Sequence, residues 1–176
     1  MQPHNNGQVS EQIRTAAQSD VDAMATLAST RREQYAKYQP VYWRPAADAQ
    51  AKQTPYFAKL VAHDKVITLV SEDASRVTGF LIATLSQAPG VYDPGGLTCQ
   101  IGDFVVVTAD RWPTTGIQLL RAGLAEAARR GAIQAVVVTG HLDRPKRQAL
   151  QACGLDIASE WWVTPALQPG PDTGRP

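Results

Sequence analysis

Chemistry-bearing residues concentrate in one stretch, Asp103-Phe104-Val105-Val106-Val107-Thr108-Ala109-Asp110-Arg111-Trp112-Pro113-Thr114-Thr115-Gly116-Ile117-Gln118-Leu119-Leu120. A β-branched run leads into a turn holding Arg111 and Gly116, and a helical pattern follows. Backbone N–H groups at a helix start lack intrahelical partners and sit at the positive end of the helix dipole. With Arg111 beside them they make an anion site suited to a pyrophosphate. Two readings stand for Asp103. It is a general base with its carboxyl lifted by burial, or a carboxylate paired or exposed at the sheet surface. His141 follows the run Ala135–Thr139 and reads as a proton carrier or as a solvated loop histidine. Tyr35, Tyr38, Tyr42, Trp43 and Arg44 group aromatic rings with one cation. They either select a ligand's apolar body and carboxylate or pack a lid. Arg144, Lys146 and Arg147 read as a solvated helix face, contact with a phosphate being the other option.

The elements that must position these groups follow from periodicity. Gln12–Ala16 reads as a strand. A helix capped by Ser19 or Asp20 runs to about Tyr38 on the stripe Val21, Met24, Leu27 and Ala28. A second helix spans Asp48–Ala62, with Pro55 delaying or breaking it. Val66–Val70 and Val77–Ala83 form a hairpin across Ser71–Arg76, and the Gly/Pro-rich 88–96 is a surface loop. Cys99–Val107 is a strand, and Thr115–Arg130 is a helix closed by Gly131. Ala135–Thr139 has the continuous apolar character of a buried central strand. A helix from Asp143 to Gly154 and a strand at Ile157–Val163 complete the order, which implies a mixed sheet with helices on its faces. The polar leader 1–11 and the Pro/Gly-rich tail 165–176 read as disordered around a single domain over 12–164.

Composition narrows the function classes. The 176 residues suit one domain with a real core. A formal net charge of +1 gives no bulk attraction to nucleic acid or an anionic membrane. His4, His63 and His141 lie scattered, so no metal site is expected. Cys99 and Cys153 have no C-x-x-C partner, and a bridge between them is left open. The start of the chain has no signal-peptide pattern and the apolar runs are too short to span a bilayer, so a cytoplasmic protein is expected. Trp161 and Trp162 alternate faces, one toward a core and the other toward a second subunit, which makes a homodimer an option.

The turn segment resembles the cofactor loop of the GNAT N-acetyltransferases, in which a strand with a Val leads into Arg/Gln-x-x-Gly-x-Gly/Ala. Val106 precedes Arg111 by the family's spacing, Arg111 holds the first motif position and Gly116 the last. Asp143–Leu155, ending in Gly154-Leu155, resembles the family's last helix, and the likeness covers roughly 12–163. It implies an α/β (α+β) fold, a mixed, mostly antiparallel central sheet of about six or seven strands flanked by helices. It also implies acetyl-CoA as co-substrate. The pyrophosphate would lie on Arg111, Thr114, Thr115, Gly116 and Ile117, and the pantetheine arm along Phe104, Val105 and Val106. The thioester would sit between that strand and Ala135–Thr139, with Tyr38, Tyr42, Trp43 and Arg44 around the acceptor. Asp103 or His141 would serve as base. Thr114 stands where the motif has its first Gly, Pro113 lacks an N–H, and Leu150 replaces the Tyr that often protonates the leaving thiolate. The implied activity is acetyl transfer to a primary amine of a small molecule or peptide by direct attack. A weak or inactive CoA-binding or protein-interaction domain is the alternative, and a transferase for longer acyl groups a third option.

Overall fold

The computed structural model describes residues 11–165. In chain order the elements are β1 (Gln12–Thr15), α1 (Val21–Tyr38), α2 (Ala49–Val61), β2 (Ile67–Asp73), β3 (Arg76–Ser86), β4 (Leu97–Val106), α3 (Ile117–Arg129), β5 (Ala132–Val137) and α4 (Arg144–Ala152). β1 to β4 form an antiparallel meander. β5 reaches β4 across α3 and pairs with it in parallel, as a helical crossover requires. The mixed sheet flanked by helices is therefore present.

Three expectations need correction. Among the described residues the sheet has five strands in the order β1-β2-β3-β4-β5, fewer than the six or seven expected. Ile157–Val163 is not a strand: it has no ladder partner among the described residues and leaves Trp162 91% exposed. Apolar alternation suits a strand, but a ladder needs a neighbouring backbone, and Trp161 instead meets Tyr42 edge-on at 5.8 Å. Nor is the run at Ala135–Thr139 a buried central strand. β5 is the last strand of the sheet, with Ile133 and Val136 exposed, because its second face is not covered. The expected leader and tail lie almost wholly outside the described residues. Glu11 is described, and it accepts the Thr78 and Thr115 hydroxyls, each at 2.6 Å.

Side-chain alternation along β3 and β4 builds a core on each sheet face. Phe80, Ile82 and Val105 pack beneath Val21, Met24, Ala25 and Ala28 of α1 and Phe57 of α2. Leu81, Phe104 and Val106 pack beneath Leu119 and Leu120 of α3 and Ala149 and Leu150 of α4. α2 continues through Pro55, since the fully buried Phe57 anchors it across the missing hydrogen bond. The β2–β3 turn puts Ala74 and Ser75 in the left-handed region, the backbone of a tight two-residue hairpin. In β4, Ile101 opposes Ala83 and Asp103 opposes Ile82, so Gly102 is an extra bulged residue.

Among the described residues no helix is long and apolar enough to cross a membrane, and no group of three or more His, Cys, Asp or Glu could hold a metal ion. Both cysteines are free thiols.

The sheet's close approach to α3 depends on Gly79. A Cβ there would lie 2.9 Å from the Val105 carbonyl oxygen and 2.9 Å from Leu119 Cδ1, whereas one at Gly102 meets nothing within 4 Å. Gly79→Ala is expected to cost about 1–3 kcal/mol and Gly102→Ala no more than about 0.5 kcal/mol. Urea-unfolding midpoints of the two variants check this.

Candidate active site

β4 and β5 remain paired as far as Ile101 and Val137 and part beyond that pair. The Gly102 bulge bends β4 at this point. The Val107 N–H donates to the Thr78 carbonyl at 2.7 Å on the β3 side. Strand alternation therefore directs the polar groups of Phe104 and Val106 toward the open edge.

Lys146 bridges the opening. Its Nζ donates to the Phe104 carbonyl at 3.1 Å and to the Val138 carbonyl at 3.0 Å, and the residue is only 3% exposed. The first turn of α4 holds it there, with Asp143 as N-cap accepting the Lys146 amide at 3.4 Å. The buried Asp143 carboxylate also accepts the Tyr35 hydroxyl at 3.0 Å and pairs with the Arg31 guanidinium. The Phe104 and Trp112 rings lie 5.2 and 5.5 Å from Nζ, within range of cation–π attraction.

A cavity of about 150 Å³ lies beside this bridge. α1 contributes Ala28, Arg31, Arg32 and Tyr35, and β4 presents Gly102 to Val105; Trp43, Gln53, Val138 and Lys146 complete the wall. Burial raises the Asp103 carboxyl above the ordinary carboxylate range, against the opposing pull of Lys146 and Arg32. Burial also lowers Lys146 to about 8, and Arg31 adds to that effect while Tyr35 and Asp103 oppose it. Burial alone would lift the Tyr35 phenol, but the cations Lys146 and Arg31 bring it below its usual value. A smaller cavity of about 40 Å³ lies between α1 and the segment 105–109, sharing Arg31 and Val105 with the first and having Trp112 in its wall.

The β4–α3 turn is densely packed on its inner side. A five-residue π-type turn, Trp112–Gly116, precedes α3. Trp112 is buried edge-on against Phe104 at 4.8 Å. A Cβ on Gly116 would come within 2.5 Å of Trp112 Cε3, so the ring occupies the place of a side chain. The Thr115 hydroxyl donates to Glu11. Burial would raise that carboxyl, yet the Thr115 and Thr78 hydroxyls, with Ser71 and Arg111, hold it below the usual value. Arg111 lies 3.9 Å from Glu11 and 3.8 Å from Asp73, which offsets much of its charge. Thr114 remains exposed and Ile117 half-buried.

The other anticipated residues are distributed unevenly. Asp103 and Trp43 line the larger cavity. The side chains of Phe104 and Val106 enter the α3–α4 core and that of Val105 the α1–α2 core. His141 is exposed on the β5–α4 loop, outside the cavity wall. Tyr38 stacks on Tyr35 at 5.6 Å, while Tyr42 and Arg44 are exposed. Leu150 is buried apolar core. Reading for motifs passed over Arg31 and Arg32 and placed Lys146 on a solvated face. One signal was available: Ala28, Arg31, Arg32 and Tyr35 fall at i, i+3, i+4 and i+7 and continue the apolar stripe of α1.

No protein-family model and no curated protein matches the sequence. Solved structures do match. A mutant of the BH1408 protein from Bacillus halodurans superposes with a TM-score of 0.76 at 18% identity, covering 89% of this chain and 99% of that one. A predicted acetyltransferase from Clostridium acetobutylicum, crystallised with acetyl-CoA, gives 0.68 at 17% identity, with 88% and 96% covered. An aminoglycoside acetyltransferase from an uncultured soil metagenomic sample, in complex with sisomicin, gives 0.61 at 14% identity, with 88% and 95% covered. The chain has the GNAT acetyltransferase fold.

On this GNAT scaffold the buried lysine ties stability to pH. Lys146 titrates near 8 when folded and near 10.5 when unfolded. Between those values the unfolded chain binds more protons, so stability rises with pH. Tyr35, Arg31, Asp103 and Asp143 are the charged or titratable groups around it, and the lowered Tyr35 phenol pushes stability the same way. The urea midpoint of the wild type is expected to climb relative to Lys146→Met from about pH 8 toward pH 10. Parallel midpoints would contradict the buried ammonium.

Proposed function

We propose that this chain is an N-acyltransferase using acetyl-CoA as donor and a primary amine of a small molecule or peptide as acceptor. The observation that carries the proposal is the parting of β4 from β5 at Gly102, which leaves a polar strand edge beside a cavity walled by the half-buried Asp103 carboxylate. Structures of the same fold support it, one crystallised with acetyl-CoA and another complexed with an aminoglycoside.

The residues present fit such a donor. The free edge at Val106 would pair with amides of a pantetheine arm, as an added strand does. Phe104 contributes less, because its carbonyl already accepts Lys146. Exposed Thr114 and the amides of the turn before α3, at Thr115 and Gly116, would face the pyrophosphate, whereas the Ile117 N–H already donates to a carbonyl within that turn. Arg111 would add only part of its charge, given Glu11 and Asp73 beside it. When bound, acetyl-CoA supplies an acyl group activated as a thioester.

The chain's own groups then divide the proton work. Asp103, with its carboxyl raised by burial, takes the proton of the acceptor amine. The Val106 N–H is a preorganised donor for a developing oxyanion. Lys146 holds a proton at the mouth of the opening and stands in for the donor that Leu150 cannot be. His141 lies outside the cavity, which leaves the base to Asp103.

One observation favours a second reading. Lys146 already satisfies both strand carbonyls of the opening, as in a domain that binds CoA or a protein without turnover. Calorimetry with acetyl-CoA and with CoA, followed by thiol release in an amine panel, separates the two. Heat from both ligands and thiol release are expected. Binding without release supports the second reading, and no heat from either removes both cofactor readings. Asp103→Asn is expected to lower kcat/KM by on the order of 10²- to 10⁴-fold and to erase the acidic limb of the pH profile, which lies above the ordinary carboxylate range.

A further inference from the structure

The charges around the larger cavity indicate which amine belongs in it. Beside the Tyr35 phenol, its ionisable lining is Arg31, Arg32, Lys146 and Asp103, three cations against one carboxylate. Arg31 is answered by Asp143, and its guanidinium is stacked 4.3 Å from the Tyr35 ring centre. Lys146 is turned onto the two strand carbonyls. Arg32 is different. It is half-buried, its side-chain contact is the Gln53 amide oxygen, and no carboxylate pairs with it among the described residues. With Asp103 acting on it only beyond ion-pair distance, this half-buried guanidinium keeps most of its fixed donor fork available for a planar anion.

Asp103 shares this cavity with Arg32, so one small space offers a site for an amine's proton and a site for a negative group. We infer that the acceptor is a small amine bearing a carboxylate, an α-amino acid, with Arg32 holding the carboxylate and Asp103 facing the amine. This rests on the transferase reading and adds the substrate class to it. A volume of about 150 Å³ admits a compact molecule, and Tyr35 and Trp43 give an apolar side chain a wall. The same cations work against polycationic acceptors, since like charges in a partly desolvated site repel strongly. The solved neighbour that holds sisomicin accepts a different kind of amine, so fold likeness and acceptor class part company here.

The test pairs each of several α-amino acids with its decarboxylated amine and its primary amide, using acetyl-CoA as donor and thiol release as readout. Calorimetry of the amino acid into protein saturated with CoA supplies a reading independent of turnover. The carboxylate-bearing member is expected to lead its partners in kcat/KM by on the order of tenfold to a hundredfold. Arg32→Gln narrows that ratio, chiefly through KM, and Arg32→Lys restores part of it; a thermal melt confirms that each variant is folded. Decarboxylated amines or sisomicin used as well as the amino acids, a ratio unmoved by Arg32→Gln, or acetyl-CoA binding with no amino acid bound or turned over each overturn the inference alone. Failure of acetyl-CoA to bind removes the transferase reading and this inference with it.

Discussion

A single ammonium group organises the functional end of this molecule. Where β4 and β5 stop pairing, two facing backbones would be left with polar groups and no partner, a costly state in the interior. Lys146 resolves it by giving one N–H to each strand. To do so α4 must start at a fixed place, which Asp143 secures by capping it, and Asp143 in turn fixes Arg31 and Tyr35 of α1. One buried cation thereby connects both layers of helices through the sheet. Burial disfavours its charge, and the surrounding carboxylate, carbonyls and rings offset only part of that cost. The same neighbours form the wall of the larger cavity, so the support of the gap and the electrostatics of the site have a common origin.

Most elements were legible because their periodicity is local. The stripe of α1, the apolar face of α3 and the alternation of β3 follow from residues close in sequence. The failures were non-local. Ile157–Val163 alternates like a strand, but strands exist only in pairs, and the pattern cannot say whether a partner backbone is adjacent. Ala135–Thr139 is continuous enough for a central strand, yet covering the second face of β5 depends on elements elsewhere in the chain.

The elements around the candidate site were legible, the physical roles of its residues less so. The motif placed Arg111 and Gly116 in the turn between a strand and a helix, and they lie in the β4–α3 turn. Gly116, however, lacks a side chain because Trp112 lies in its way, and Arg111 faces Glu11 and Asp73. Lys146 is harder to read. On a helix whose basic residues suggest a solvated face, nothing nearby in sequence separates the one lysine turned inward from Arg144 and Arg147 beside it. Arg31 and Arg32 were recoverable, since they occupy helical positions that the earlier turns of α1 reserve for apolar packing. A charge in such a position is rarely neutral in meaning.

The contact between Trp112 and Gly116 has a further consequence. Because a rigid ring fills the inner side of this turn, the backbone that leads into α3 is held in place in the free protein. An anion docking on the exposed side would give up its own translational freedom without also having to freeze a disordered loop. Affinity at such a corner is then governed by how well the ligand's shape and hydration suit a pre-set cradle, and association has no slow folding step to wait for.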